Sequence, residues 1–467
     1  MDLNILHNHD ESFDESMEKI FEWLDEKMYF KVRDELLRYN EADIAEMFEE
    51  ILEEEDYFMQ AIVVYRLLPR NVSVEVFAYL PSDDQLKIVD GITTAELSYI
   101  VGELDFDDKI DILEELPATL VNRILENTPK SERKLINTFL NYPDDCAGSI
   151  MTPDFISLKK EWTVGEAMAH IKEEGMDTET IYTCYVRDTG HKLLGIVSLK
   201  TLVIKDDNVK IMDLMHTDYV CVNVYDDQEE VSESFKKYGF LAMPVVDNEH
   251  RLVGIVTVDD ILDVIELETT EDIERMAGIV DLEQSDKEYL DKSVWEHARN
   301  RLPWLLVMMV SAMVTGSIIS AFEELLSTVI VLVSYIPLLM GTGGNTGAQA
   351  STLIIRGISL DEVDLEDTLK VVWKELRISC IVGAILSVLN FLKIIIIDGE
   401  SVLVGLTVCS SLLLIVCSAK VIGGVVPLLA KKIGVDPALM ANPVIASSVD
   451  LISVLVYFMM ATVILGL

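Results

Sequence analysis

Positive charge is scarce in this sequence. There are 37 Lys and Arg against 81 Asp and Glu, a formal net charge of −44. A surface this negative repels phosphate, which argues against a nucleic-acid partner. Cysteine is scarce as well: six, widely spaced and without a CxxC pair, which excludes a disulfide scaffold. The stretch Met1–Glu15 lacks a basic start and a long apolar run, so no secretory signal is read there. The acidic part is therefore expected to stay in the cytoplasm. What the chain has in excess is apolar residues, 50% of the total, with a mean hydropathy of +0.30. The two excesses are segregated. Residues 296–467 hold 13 acidic and 10 basic residues, and residues 1–295 hold 68 and 27, a net of −41. An acidic soluble half precedes a nearly neutral hydrophobic half, and the length excludes a single globular domain.

A membrane span needs about 20 mostly apolar residues. Uncharged runs cover 302–322 and 325–355. Three more cover 378–397, 401–430 and 438–467, broken only by Lys393, Lys420 and Asp450. This predicts five transmembrane helices, with Pro303 in the first turn of the first. Arg299, Arg301, Lys370, Lys374, Arg377, Lys431 and Lys432 flank one side, and Glu323, Glu324, Asp398 and Glu400 the other. The positive-inside rule then puts the N-terminus in the cytoplasm and the C-terminus outside the cell membrane.

Three features in this half exceed what solubility in lipid requires. Pro337–Gln349 carries Gly341, Gly343, Gly344, Asn345, Gly347 and Gln349. No Gly-Lys-Ser/Thr follows, so a phosphate loop is a poor reading. Gly343 and Gly347 have the spacing of close helix packing, and the polar members suit a pore lining; both readings stand. Gly434-Val-Asp436-Pro437 reads, taken alone, as a turn. Asp450 is a carboxylate in mid-span, by default the mark of an ion or proton path. Pro443, Ala446, Ser447, Asp450, Val454 and Tyr457 are expected on one helix face with it, and Asn442 lies about 12 Å along the axis. No His, Cys or multi-carboxylate cluster suits a transition metal here. Mg²⁺ binds through one or two carboxylates while keeping water. A two-fold homodimer would bring two copies of Asp450 to one axis.

Residues 150–265 repeat internally. Leu193–Lys200 matches Leu252–Asp259, and Ile150–Asp154 matches Leu214–Asp218. Each copy reads as a helix followed by two strands, Tyr182–Val186 and Ala242–Val246 being the partner strands. Such a tandem resembles a pair of cystathionine-β-synthase-type (CBS) domains. The resemblance implies a regulatory module that binds adenine nucleotide, with ribose recognition at Thr257-x-x-Asp260. The first copy departs from that pattern with Ser198 and Thr201, so at most one site is expected. Residues 17–145 show Leu-Pro or its equivalents near every twelfth residue, at 68–69, 80–81, 92–93, 104–105, 116–117 and 128–129, with Tyr142-Pro143 extending the series. Proline at that interval ends one short helix and starts the next, giving a superhelix of repeats. Carboxylates crowd 103–111 and 259–274. Brought together they repel, and divalent cations relieve the repulsion.

The whole resembles the MgtE-type magnesium channels in its order of parts, in Pro337–Gln349, in Gly434-x-Asp436-Pro437 and in Pro443–Asp450. The implied fold is multidomain: an all-α helical-repeat N domain over 1–145, an α/β tandem CBS pair over 146–265 (146–210 and 211–265), a connecting "plug" helix over 266–300 and a five-helix transmembrane domain over 301–467. The implied activity is Mg²⁺ uptake through a homodimeric channel closed by cytoplasmic Mg²⁺, with no catalytic residues and no enzyme activity. By that resemblance Asp450 and Asn442 hold hydrated Mg²⁺ in the pore, and Asp436 lies at its cytoplasmic mouth. Asp260, Asp263, Glu268, Glu271 and Asp272 line regulatory Mg²⁺ sites with Asp107 and Asp111, and ATP at the CBS pair tunes them. Two other classes fit the residues: a divalent-cation transporter coupled to H⁺ or Na⁺ through Asp450, and a CBS-regulated membrane sensor that transports nothing.

Overall fold

The computed structural model describes residues 3–176, 178–280, 289–290, 292–360, 362–440 and 442–466, with side chains from residue 13 onward except those of 55, 127, 440 and 442. They form two compact units, Met1–Glu266 and Leu267–Leu467.

The twelve-residue period of the first unit becomes a run of ten-residue helices. Arg70–Tyr79, Ser82–Gly91, Ala118–Asn127 and Lys130–Phe139 each start after a proline in the cap position, Pro69, Pro81, Pro117 and Pro129. At the intermediate places Thr93 closes a capping box with Glu96 ahead of Thr94–Glu103, and Asp105 precedes Phe106–Glu115. Proline there has no N–H to leave unpaired, and its fixed φ turns the chain. The preceding Leu68, Leu80, Leu104 and Leu116 are buried and anchor each corner. The series ends one step earlier than expected, because no helix follows Pro143.

Two three-stranded sheets follow. In the first, β1 (Phe155–Lys159) pairs parallel with β2 (Thr180–Arg187), which pairs antiparallel with β3 (Leu193–Ser198). In the second, β4 (Val222–Asn223), β5 (Ala242–Val246) and β6 (Leu252–Thr257) repeat that order. The lead-in segments are exchanged: Thr152 exchanges backbone bonds with Ile255 of β6, and His216 with Ile196 of β3. This explains the glycine in both matched strands. A Cβ at Gly195 would stand 2.7 Å from the His216 carbonyl oxygen, and one at Gly254 2.9 Å from that of Thr152.

A helix over Val258–Ala277 (α1) leaves β6, and Gly278 ends it in the left-handed region at φ +75°. The expected connecting segment 266–300 thus spans the end of α1 and the start of α2, and 281–288 and 291 lie outside the described residues. In the second unit α2 is Val294–Ala321, α3 Ile336–Ser359, α4 Thr368–Ile396, α5 Val402–Ile433 and α6 Asn442–Leu465. Among the described residues, four stretches are long and apolar enough to cross a membrane: Val294–Ala321, Leu365–Ile396, Val402–Ile433 and Pro443–Leu465. Helix α3 has the length, about 36 Å at 1.5 Å per residue, and carries the glycines and amides.

Three expectations need correction. Pro303 lies inside α2, whose start is fixed by Ser293 accepting from the Glu296 N–H about three turns earlier. The uncharged run 325–355 is not one helix. A short helix at Glu323–Thr328 and a 3₁₀ turn at Ile330–Tyr335 precede α3, which restarts around Pro337. Helix α4 begins ten residues before the uncharged run 378–397 and carries Glu375 inside it.

Candidate ion path and acidic cluster

In the second unit, α3 packs its small residues against α5 and α6. A Cβ at Gly343 would meet Ser453 Oγ at 2.7 Å, Ile415 at 2.8 Å and Val449 at 2.9 Å, and one at Gly347 would meet Ile445 at 2.9 Å. These two glycines therefore serve close packing. The neighbouring edge of α3 differs. A Cβ at Gly344 would have Asp450 Oδ1 as its nearest neighbour, at 4.0 Å. Gly341, Asn345 and Gln349, at successive i, i+4 positions, are exposed.

Asp450 is half-buried on α6, as are Ala446 and Ser447. Two residues expected on that face are buried rather than half-open. Val454 and Tyr457 are 1% exposed, and Tyr457 donates its hydroxyl to the Leu332 carbonyl at 3.0 Å. At 3.6 residues per turn the six span about 100° with Asp450 between Tyr457 and Val454, so what separates them is position along the axis, where the later residues pack into the core. Pro443 is buried, near Gly278. Asn442 starts α6, and its side chain lies outside those described.

Two carboxylates on the apolar helices of the second unit have opposite circumstances. Glu375 on α4 faces Lys420 on α5 at 3.6 Å, both side chains 7% exposed. Asp450 has no cationic partner among the described residues. The Glu375–Lys420 pair escapes a sequence reading because each residue alone looks like a break in an apolar run. Asp436, expected at the mouth, takes the Ala438 N–H on Oδ1 at 2.7 Å and Arg275 Nη1 on Oδ2 at 2.6 Å. The turn reading and a charged contact thus both hold there. Glu271 pairs with the same Arg275, and Glu268 lies in its field.

In the first unit the helix Phe106–Glu115 brings its first turn to the start of α1 and to the loop before β2. Asp107, Asp108, Glu179 and Asp260 crowd together, with Asp105 and Asp259 beside them. Burial first, and neighbouring carboxylates second, push Asp108 and Glu179 up to about 8 and Asp260 to about 7. Burial also raises Asp107 to about 6, against the pull of backbone N–H groups. Thr257 Oγ1 donates to Asp260 Oδ2 at 2.6 Å, while in the first repeat Ser198 and Thr201 pair through their hydroxyls at 2.9 Å. Asp107 Oδ1 is buried with no hydrogen-bond partner. That orphaned oxygen amid like charges fits a hard cation. Among the described residues, no three His, Cys, Asp or Glu groups already stand in metal-holding geometry.

Of the expected regulatory residues, Asp107 and Asp260 are brought together. Asp111 is exposed and adds to the field at Asp108. Asp263 is exposed, with Glu266 and Asp259 as its charged neighbours. Asp108 and Glu179 are the members a sequence reading leaves out. Glu179 sits in a loop of the first CBS repeat about seventy residues from Asp107, and nothing local marks it. A cavity of about 660 Å³ at the far ends of β1 and β2 is lined by Lys159, Lys160 and Arg187 but equally by Glu161, Glu174 and Asp188. Its charges balance.

Comparison with known proteins agrees with this arrangement. A model described as a divalent cation transporter, MgtE, matches residues 336–460. The MgtE intracellular N domain matches 39–145, and the CBS domain matches 147–206 and 211–267. The magnesium transporter MgtE of Thermus thermophilus is 35% identical over 93% of this chain and 95% of its own length. That of Bacillus subtilis is 33% identical over 85% and 90%. A solved cytosolic domain of the Mg²⁺ channel MgtE in complex with ATP is 32% identical, covering 53% of this chain and 99% of its own, with a TM-score of 0.49. With relatives this similar over nearly the whole length, the chain is a multi-pass membrane protein and belongs to the MgtE family.

Proposed function

We propose that this chain is an Mg²⁺-selective channel that mediates uptake as a homodimer and is closed by cytoplasmic Mg²⁺. The observation that carries the reading is the contrast between two acids on the apolar helices. Glu375 has Lys420, whereas Asp450 has no cation beside it among the described residues and stands next to the Cβ-less edge of Gly344. A carboxylate held in mid-membrane without a partner awaits one that moves. The exposed Asn345 and Gln349 on α3 support a second chain or water on that side, because polar groups do not face lipid alone. Two Asp450 carboxylates at a dimer axis match the charge of one hydrated Mg²⁺, an ion that surrenders water reluctantly. Selection then rests on width and water-mediated contacts. With the N-terminus inside and the C-terminus outside, the membrane potential drives entry, worth about 4.6 kcal/mol for a divalent ion at 100 mV.

The sensor is the acidic cluster of the first unit. Mg²⁺ there would be held by Asp107 and Asp260 with Asp108 and Glu179, relieving a repulsion that at low Mg²⁺ keeps the N domain from the CBS pair. ATP would add its ribose at Thr257 and Asp260 of the second repeat, linking nucleotide and cation through one carboxylate. The deciding experiment is Mg²⁺ flux through the purified protein in liposomes with cytoplasmic-side Mg²⁺ varied. Downhill flux that falls as this Mg²⁺ rises is expected. Uphill accumulation driven by H⁺ or Na⁺, or no flux at any Mg²⁺, would overturn the reading.

A further inference from the structure

The end of α1 is seated on the start of α6. Gly278 has φ +75°, and a Cβ there would stand 2.7 Å from the Pro443 ring and 3.4 Å from Trp304. The Val280 N–H donates to the Asn300 carbonyl at 3.1 Å, which ties the segment after α1 to α2. One turn before Gly278, Arg275 spans Glu271 on its own helix and Asp436 ahead of α6. A guanidinium stays charged at any working pH and forks between two carboxylates. It thereby supplies one positive charge between two negative ones.

We propose that Arg275 is a positioning residue that acts as a tethered cation on Asp436, holding α1 against the first turn of α6 and competing with a divalent cation for that carboxylate. The proposal rests on the transport reading above. With Arg275 in place, Asp436 already holds a cation and is a poor site for a dication. Without it, Asp436 loses that cation, and α1 leaves the mouth unless a divalent ion replaces the guanidinium. Arg275 thus keeps the helix seated when cytoplasmic Mg²⁺ is low, and the transported ion meets an occupied carboxylate.

The test uses the full-length protein in liposomes with a chelator on the cytoplasmic side, comparing wild type, R275Q and R275K by two readouts. R275Q should speed amide exchange at 274–280 and raise Mg²⁺ flux about tenfold, the size of one charge-assisted contact. R275K keeps the charge and should stay near wild type on both. Unchanged flux in R275Q, or an equal rise in R275K, would overturn the proposal. Absence of flux in the wild type would instead reject the transport reading, and amide exchange alone would then decide whether Arg275 holds the helix.

Discussion

Asp450 and the clustered carboxylates of the first unit share one physical condition, acidic groups held without a cationic partner among the described residues. For Asp450 the consequence is direct. Asp450→Ala should abolish Mg²⁺ current in membrane patches while the protein still elutes as a folded species, and normal current in that variant would remove Asp450 from the path. For the cluster the consequence is a pH dependence. Asp107, Asp108, Glu179 and Asp260 have folded pKa values raised to between about 6 and about 8, against about 4 when unfolded. The folded state therefore binds more protons than the unfolded one between those limits, and stability falls as pH rises through them. In chelator, the full-length protein should melt at a lower temperature at pH 8 than at pH 5.5. Mg²⁺ should narrow that gap by replacing the protons. A gap that is absent, or one that Mg²⁺ leaves untouched, would show that the cluster is neither strained nor cation-binding.

Among the described residues, small residues and a buried ion pair join the helices of the second unit. Glu375 and Lys420 join α4 to α5, and removing either partner strands the other. Glu375→Gln or Lys420→Met alone should cost about 3–5 kcal/mol, while the double variant should recover most of it. Thermal unfolding in detergent reads this, and additive losses would mean that the two do not act as a pair. Gly343 and Gly347 fix the approach of α3 to α5 and α6. Gly343→Val should cost about 1–3 kcal/mol by overpacking against Ser453 and Ile415, measured in the same way. The element starts follow a similar logic in the first unit, where Pro69, Pro81, Thr93, Asp105, Pro117 and Pro129 punctuate the helices.

At the scale of the molecule the proposal is feedback, in which the ion that permeates also closes the path. Neutralising Asp260, Asp263 and Glu268 together should leave flux undiminished at millimolar cytoplasmic Mg²⁺. Inhibition identical to wild type would reject the sensor assignment. Because Asp263 is exposed and Asp107 is not among its charged neighbours, replacing Glu179 and Asp108 instead should relieve inhibition at least as well.

Periodic and compositional features were legible before any coordinates. The twelve-residue punctuation gave the repeat helices, and the matched Leu193 and Leu252 strands gave the paired sheets. Charge-free runs gave the membrane helices, and Asp450 stood out because a charge in lipid is costly wherever the chain goes. These are local properties, set by backbone dihedrals, capping and transfer free energy. Tertiary structure alone decided which distant charges meet. It brought Glu179 to Asp107, Lys420 to Glu375 and Arg275 to Asp436, and it turned Tyr457 into the core while leaving Asp450 half-open. Coulombic and packing energies depend on separation in space, and spacing along the chain carries no record of contacts made across seventy or a hundred and sixty residues.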